Sequence, residues 1–301
     1  MFSPSSQPSA LSAKQQTLDQ LIEQVQEQWF TQTFDPTQSD VLKALVAGFA
    51  DSRGMTRLAI AELLGKIKAP ATPHLLEALT SHPNPVVRRA SGKTLTLIGD
   101  PKTIPTLIQV LLTDKDQVVK GSVVGALARM GEASVLALLE ILTHPQHPET
   151  IKGHAAWALS FVGVEAREHL YAAFNSSSAD VRCAVMGALA GLAQDQQDGQ
   201  ALALLRQGLD DPEPAVRIEA ITALGNVQSQ ERLPDLLNRL SDPEPEVRKT
   251  LALALIKLKN SQAIQPLQNR LSQEQNIGVK PVLQLAIKRL QQNSELDDDW
   301  N

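Results

Sequence analysis

One short phrase recurs along this chain and limits what it can fold into. Asp211-Pro212-Glu213-Pro214-Ala215-Val216-Arg217 is followed by Ile218-Glu219-Ala220-Ile221-Thr222-Ala223-Leu224-Gly225. It returns as Asp242-Pro243-Glu244-Pro245-Glu246-Val247-Arg248, with Leu251, Ala254 and Leu255 behind it. A phrase copied at fixed spacing marks a supersecondary unit that buries its apolar face only against its neighbours. The basic residue falls at Arg57, Arg88, Lys120, Lys152, Arg182, Arg217, Arg248 and Lys280, in steps of 31, 32, 32, 30, 35, 31 and 32 residues. The polar insertion Gln194-Asp195-Gln196-Gln197-Asp198-Gly199 accounts for the one long step.

Counted from each basic residue, position +7 is Leu64, Leu95, Leu127, Leu159, Leu189, Leu224, Leu255 and Ile287. Position +10 is apolar in every copy, +3 is mostly apolar, and +6 is small from Ala126 to Ala286. Spacings of three, three, one and three make one buried stripe of an α-helix. An earlier helix in each unit carries its own stripe, as in Leu75-Leu76-Leu79 and Leu107-Ile108-Leu111. Pro73, Pro105, Pro234 and Pro266 open four of these, since a first helical turn has no partner for the missing N–H. The expected fold is therefore all-α, with about eight helical pairs over residues 40–291.

The flanks read differently. Residues 1–13 are rich in Ser, Pro and Gln and are expected to be a disordered tail. Residues 14–34 form an amphipathic helix suited to capping the open side of the first repeat. Residues 292–301 are expected to be a loose acidic tail. The mild net charge of −5 argues against a non-specific nucleic-acid binder, which would need a basic face. With Cys183 as the only cysteine, no internal disulfide can form, and no apolar run reaches the length of a membrane span. The start of the chain lacks the pattern of a secretory signal, so a cytoplasmic, soluble protein is expected.

Two helices per unit, about 32 residues, and Asp-Pro-x-Pro-x-Val-Arg followed by Ala-x-x-Ala-Leu-Gly resemble HEAT-like repeats. The variant is similar to that of the phycobilisome (PBS) lyase family, including E/F-type phycobilin lyases and NblB-like phycobilisome degradation proteins. This resemblance implies a right-handed α-α superhelix whose second helices line a concave groove. It also implies that acid–base pairs such as Asp51 and Arg57, Asp114 and Lys120, Asp211 and Arg217, and Asp242 and Arg248 belong to a structural ladder running from repeat to repeat. A row of cations for phosphate or propionate groups is the functional alternative.

On the same resemblance, positions +1, +5 and +9 of the second helices face the groove. Three successive repeats place Gly121, Gly125 and Arg129, then Gly153, Trp157 and Phe161, then Cys183, Gly187 and Gly191 there. A glycine inside a helix costs about 1 kcal/mol relative to alanine, so a flat apolar ligand seated around Trp157 is one explanation. Close packing between repeats is the other, and both remain open. His154 lies beside Trp157, with His144 and His147 in the preceding turn, but nothing completes a metal-ligand set. Cys183 is read either as an apolar filler or as a thiol that transiently accepts a bilin.

The implied function is binding a phycobiliprotein subunit, with or without its bilin, during chromophore attachment, detachment or antenna turnover. Phycocyanobilin is then a transient ligand, no cofactor is held tightly, and a heterodimer partner of the lyase type is implied. Trp157 and Phe161 would stack on pyrrole rings, Arg129 would pair a propionate and His154 would move a proton. A non-enzymatic scaffold with a protein ligand in the same groove is the rival. Deoxyhypusine hydroxylase activity is rejected, because Leu, Pro or Ala follows every histidine where that family has His-Glu pairs.

Overall fold

The computed structural model describes residues 12–195, 198–227 and 233–298. Most of the expected N-terminal tail therefore lies outside the described residues. Among them there is no strand, and the chain is a succession of helical pairs. It divides into two compact units, Met1–Met130 and Gly131–Asn301.

In the first unit, α1 (Ala13–Phe30) begins at a capping box made by Ser12 and Gln15. Ser12 satisfies an N–H that has no partner within the helix. Ile22 and Val25 of α1 are buried, and Asp19 receives two hydrogen bonds of 2.8 Å from Arg53. Three pairs follow: α2 (Ser39–Ala47) with α3 (Gly54–Ile67), α4 (Thr72–Ser81) with α5 (Pro85–Ile98), and α6 (Ile104–Thr113) with α7 (Gln117–Arg129).

The second unit holds five pairs. They are α8 (Glu132–Thr143) with α9 (Glu149–Leu159), α10 (Arg167–Ala173) with α11 (Ala179–Asp195), α12 (Gly199–Gly208) with α13 (Pro214–Asn226), α14 (Leu233–Leu237) with α15 (Pro245–Leu258), and α16 (Ile264–Gln273) with α17 (Lys280–Asp298). The last helix runs well into the stretch expected to be a loose acidic tail from residue 292. Gln, Glu and Leu are good helix formers, and α17 continues through them.

The repeated leucine is the centre of each pair. Leu64, Leu95, Leu127, Leu159, Leu189, Leu224 and Leu255 are all 0% exposed, and Ile287 is 8% exposed. Turn chemistry sets the helix starts. Pro85, Pro214 and Pro245 occupy the first helical position, while Asn84 and Asp116 accept N–H groups as N-caps. No helix among the described residues is long and apolar enough to cross a membrane.

Candidate functional site

The basic residues of the repeated phrase tie consecutive repeats together. Arg88 donates two hydrogen bonds to Asp114, at 2.8 and 3.0 Å. Arg182 holds Asp211 in the same two-pronged way, and Arg217 holds Asp242. Arg248 holds Glu274, a rung acid that the spacing of aspartates does not reveal. The carboxylates of Asp114, Asp211, Asp242 and Glu274 are thus held by the preceding repeat, and at Asp211 and Asp242 the arginine of the same repeat also donates to the backbone carbonyl. Arg57, Arg217 and Arg248 donate in this way to the carbonyls of Asp51, Asp211 and Asp242. Burial works to raise the pKa of Asp211 and Asp242, but the arginine and backbone hydrogen bonds outweigh it and hold both low. Lys120 is buried, lies close enough to help hold Asp114 down, and forms no ion pair among the described residues.

In the second unit, α9, α11 and α13 pack side by side. A groove of about 320 Å³ runs along them. Glu149, Lys152, Gly153 and Ala156 of α9 form one wall, Asp180, Cys183, Ala184 and Gly187 of α11 the other, and Glu219 reaches in from α13. Lys152 and Asp180 bridge across it at 2.5 Å. One turn beyond Gly153 along α9, Trp157 is 51% exposed, and Phe161 is 60% exposed with its ring centroid 4.6 Å from that of Trp157. Phe161 lies beyond the end of the helix, although its position in the repeat predicts a helical residue. The helix α9 ends at Leu159, Ser160 Oγ bonds the Trp157 carbonyl at 2.7 Å, and the chain turns out through Gly163 at φ +85°. The turn keeps the two rings together. Phe161 also lines a smaller hollow of about 230 Å³ with Leu170, Ala188 and Gly191.

The glycines divide into two kinds. A Cβ added at Gly121, Gly125, Gly153 or Gly187 would meet nothing within 4 Å. At Gly225 it would lie 2.8 Å from the Ala254 Cβ, and at Gly65 it would lie 3.1 Å from the Leu97 Cβ. Close packing therefore explains Gly225 and Gly65 but not the first four. Gly121, Gly125 and an exposed Arg129 belong to α7 of the first unit, whereas Trp157, Phe161, His154, Cys183 and Gly187 belong to the second.

Three polar groups in the second unit bear on chemistry. Burial pushes the Cys183 thiol up to about 11, and the carboxylates of Glu219, Asp180 and Asp211 add to the shift. Such a thiol is protonated at neutral pH and is a poor nucleophile. Glu219 is open to solvent, yet the surrounding walls desolvate it enough to raise its pKa above the ordinary carboxylate range. The repeat pattern held a signal for it. Position +2 is Ala59, Ala90, Ser122, Ala184, Thr250 or Val282 elsewhere, and only His154 and Glu219 bring an ionisable group there. His154 has a buried Nδ1 without a hydrogen-bond partner. His144 and His147 stack at 4.3 Å, and no cluster of three or more His, Cys, Asp or Glu side chains among the described residues could hold a metal ion.

The profile of HEAT repeats matches residues 72–160, 167–237 and 202–288. The bilin biosynthesis protein MpeU of Synechococcus sp. (strain WH8020) is 37% identical over 190 residues, which is 63% of this chain and 64% of that protein. This relative bears out the likeness to bilin-related HEAT-like proteins read from the repeated phrase. The deoxyhypusine hydroxylase of Phaeosphaeria nodorum (strain SN15) is 34% identical over 94 residues, 31% of this chain and 29% of the enzyme. Among solved structures, the karyopherin Kap121p superposes with a TM-score of 0.56 at 15% identity, over 94% of this chain and 38% of its own. That likeness concerns the fold alone. The chain spans less than two thirds of the length of each of these proteins.

Proposed function

Because the chain belongs to the HEAT-repeat family and is similar over 190 residues to a bilin biosynthesis protein, we propose that it binds a phycobiliprotein subunit together with that subunit's open-chain tetrapyrrole. It would do so in the cytoplasm, during chromophore attachment, detachment or antenna turnover. The observation that carries this reading is the Trp157–Phe161 pair, two large apolar rings left in solvent, of which Phe161 lines a hollow. The open space over Gly153 and Gly187 supports it, since a flat conjugated ligand can approach a helix closely only where no Cβ stands in the way.

In the reaction served, a partner's cysteine thiol adds across a bilin double bond. A C–S bond forms, and the thiol's proton ends on the tetrapyrrole; detachment is the reverse. The reactive thiol is the partner's, because Cys183 is held protonated. This chain contributes orientation, by holding a flexible ligand and a thiol in one arrangement. His154, one turn from Trp157 on α9, would move a proton. A heterodimer partner of the lyase type and phycocyanobilin as transient ligand belong to the same proposal.

The absence of an activated thiol in the groove also favours a second reading, in which the chain is a scaffold that binds the protein and leaves the bilin untouched. Absorption spectroscopy separates the two. Mixed with phycocyanobilin, the protein is expected to shift the long-wavelength band to the red, and Trp157→Ala is expected to abolish the shift. An unchanged spectrum with retained capture of a purified phycobiliprotein would overturn the bilin reading and leave the scaffold.

A further inference from the structure

A second groove, of about 530 Å³, lies between α3 and α5 in the first unit. Its apolar surface is Leu58, Val86 and Leu97, which are 48%, 44% and 56% exposed. Its polar surface is formed by Arg57, Arg89 and Lys93 with the neutral Thr96, and no carboxylate lines it. Arg57 gives one N–H to the Asp51 carbonyl at 2.5 Å. Arg89 and Lys93 have neither an ion pair nor a side-chain hydrogen bond among the described residues. This concentration of positive charge runs against the chain's net charge of −5. In the second unit's groove, by contrast, Glu149, Asp180 and Glu219 face one lysine.

The lining recurs at helical spacing on both walls: Gly54, Leu58 and Ala61 on α3, then Val86, Arg89, Lys93 and Leu97 on α5. The α5 stripe from 86 to 97 extends about 16 Å at the rise of an α-helix, enough for about three turns of a partner helix. Exposed apolar side chains gathered in one groove mark an interaction surface, and cations along its edge select the partner's sign. A small inorganic anion would leave the three apolar residues uncovered. A helix with leucine-like side chains on one face and carboxylates beside them covers both.

We propose that the groove between α3 and α5 receives an acidic amphipathic helix of a partner protein, its apolar side chains on Leu58, Val86 and Leu97 and its carboxylates on Arg57, Arg89 and Lys93. The site is independent of the tetrapyrrole reading, because its lining belongs wholly to the first unit.

The test uses the full chain and two fluorescein-labelled helical peptides of about four turns, each with leucines on one face, flanked by glutamates in one and lysines in the other. Fluorescence anisotropy is expected to show binding of the glutamate peptide alone, weakening as salt is added. The double substitution Arg89→Glu with Lys93→Glu is expected to weaken that peptide by at least about tenfold and to confer binding of the lysine peptide. Both positions are exposed, so circular dichroism and thermal melting are expected to stay at wild-type values. Leu97→Ser is expected to weaken the glutamate peptide without creating lysine-peptide binding. Equal binding of the two peptides, no binding of either, or indifference to charge reversal would overturn the assignment. Displacement of the peptide by phycocyanobilin, or by a second copy of the chain at rising protein concentration, would give the groove to that occupant instead.

Discussion

Alanine at Gly125, Gly153 and Gly187 is expected to stabilise this protein. All three are helix-interior residues whose added Cβ meets no atom within 4 Å, and none has a positive φ. The substitution therefore meets no clash and removes the conformational freedom that glycine confers on the unfolded chain. The gain is about 1 kcal/mol at each site. At two to four degrees per kcal/mol for a unit of this size, each single variant should melt about 2–4 °C higher. Gly225→Ala is the control. Its Cβ would stand 2.8 Å from the Ala254 Cβ and 3.2 Å from the Ala254 Cα, so backbone must move. A loss of about 1–3 kcal/mol is expected there. Because the chain has two compact units, urea unfolding followed by circular dichroism should be read for separate transitions. Gly125→Ala then moves the transition of the first unit, and Gly153→Ala and Gly187→Ala move that of the second. If Gly187→Ala lowered the melting temperature, or Gly225→Ala raised it, the division of glycines into open and close-packed kinds would be refuted.

Two further outcomes follow from the ladder and the groove. Arg217→Met strands the Asp242 carboxylate, 4% exposed in its pair, and is expected to cost about 3–5 kcal/mol in urea unfolding, most of it regained when Asp242→Leu is added. Cys183, with its thiol pushed up to about 11, is expected to react with iodoacetamide at pH 8 about one to two orders of magnitude more slowly than in urea. A raised thiol pKa shrinks the thiolate fraction below it, so the native rate should keep climbing toward pH 11, and Glu219→Gln should speed it at pH 8. A native rate equal to the unfolded one would refute the buried, carboxylate-flanked thiol.

The period of the repeated phrase carries most of the architecture, because a leucine at +7 can be sealed in every copy only if every copy packs alike. Trp157 was legible for the opposite reason, as a bulky residue where its neighbours have glycine. Counting along a repeat puts Phe161 on the helix, because a count cannot see where Ser160 and Gly163 end it. The partner of each rung was hidden because spacing along one helix says nothing about which repeat supplies the facing acid. Glu274 escaped for that reason and because it is a glutamate. The groove of the first unit escaped because Leu58, Val86 and Leu97 match the composition of a core and differ from it only in exposure.

The grip of each arginine on a carbonyl six residues behind it sets where this protein's length can change. In Arg217 the guanidinium spans the bend between α12 and α13, fastening Asp211 at 2.9 Å and Pro212 at 3.2 Å while it reaches Asp242 ahead. One extra residue in that bend would pull the fastening apart. Between α11 and α12 no arginine among the described residues makes such a staple; the Asp198 N–H reaches back to the Leu192 carbonyl at 3.5 Å, and the polar insertion at 194–199 stretches that step to 35. Insertions can therefore accumulate at the bends that join one pair to the next, while those inside a pair keep their length.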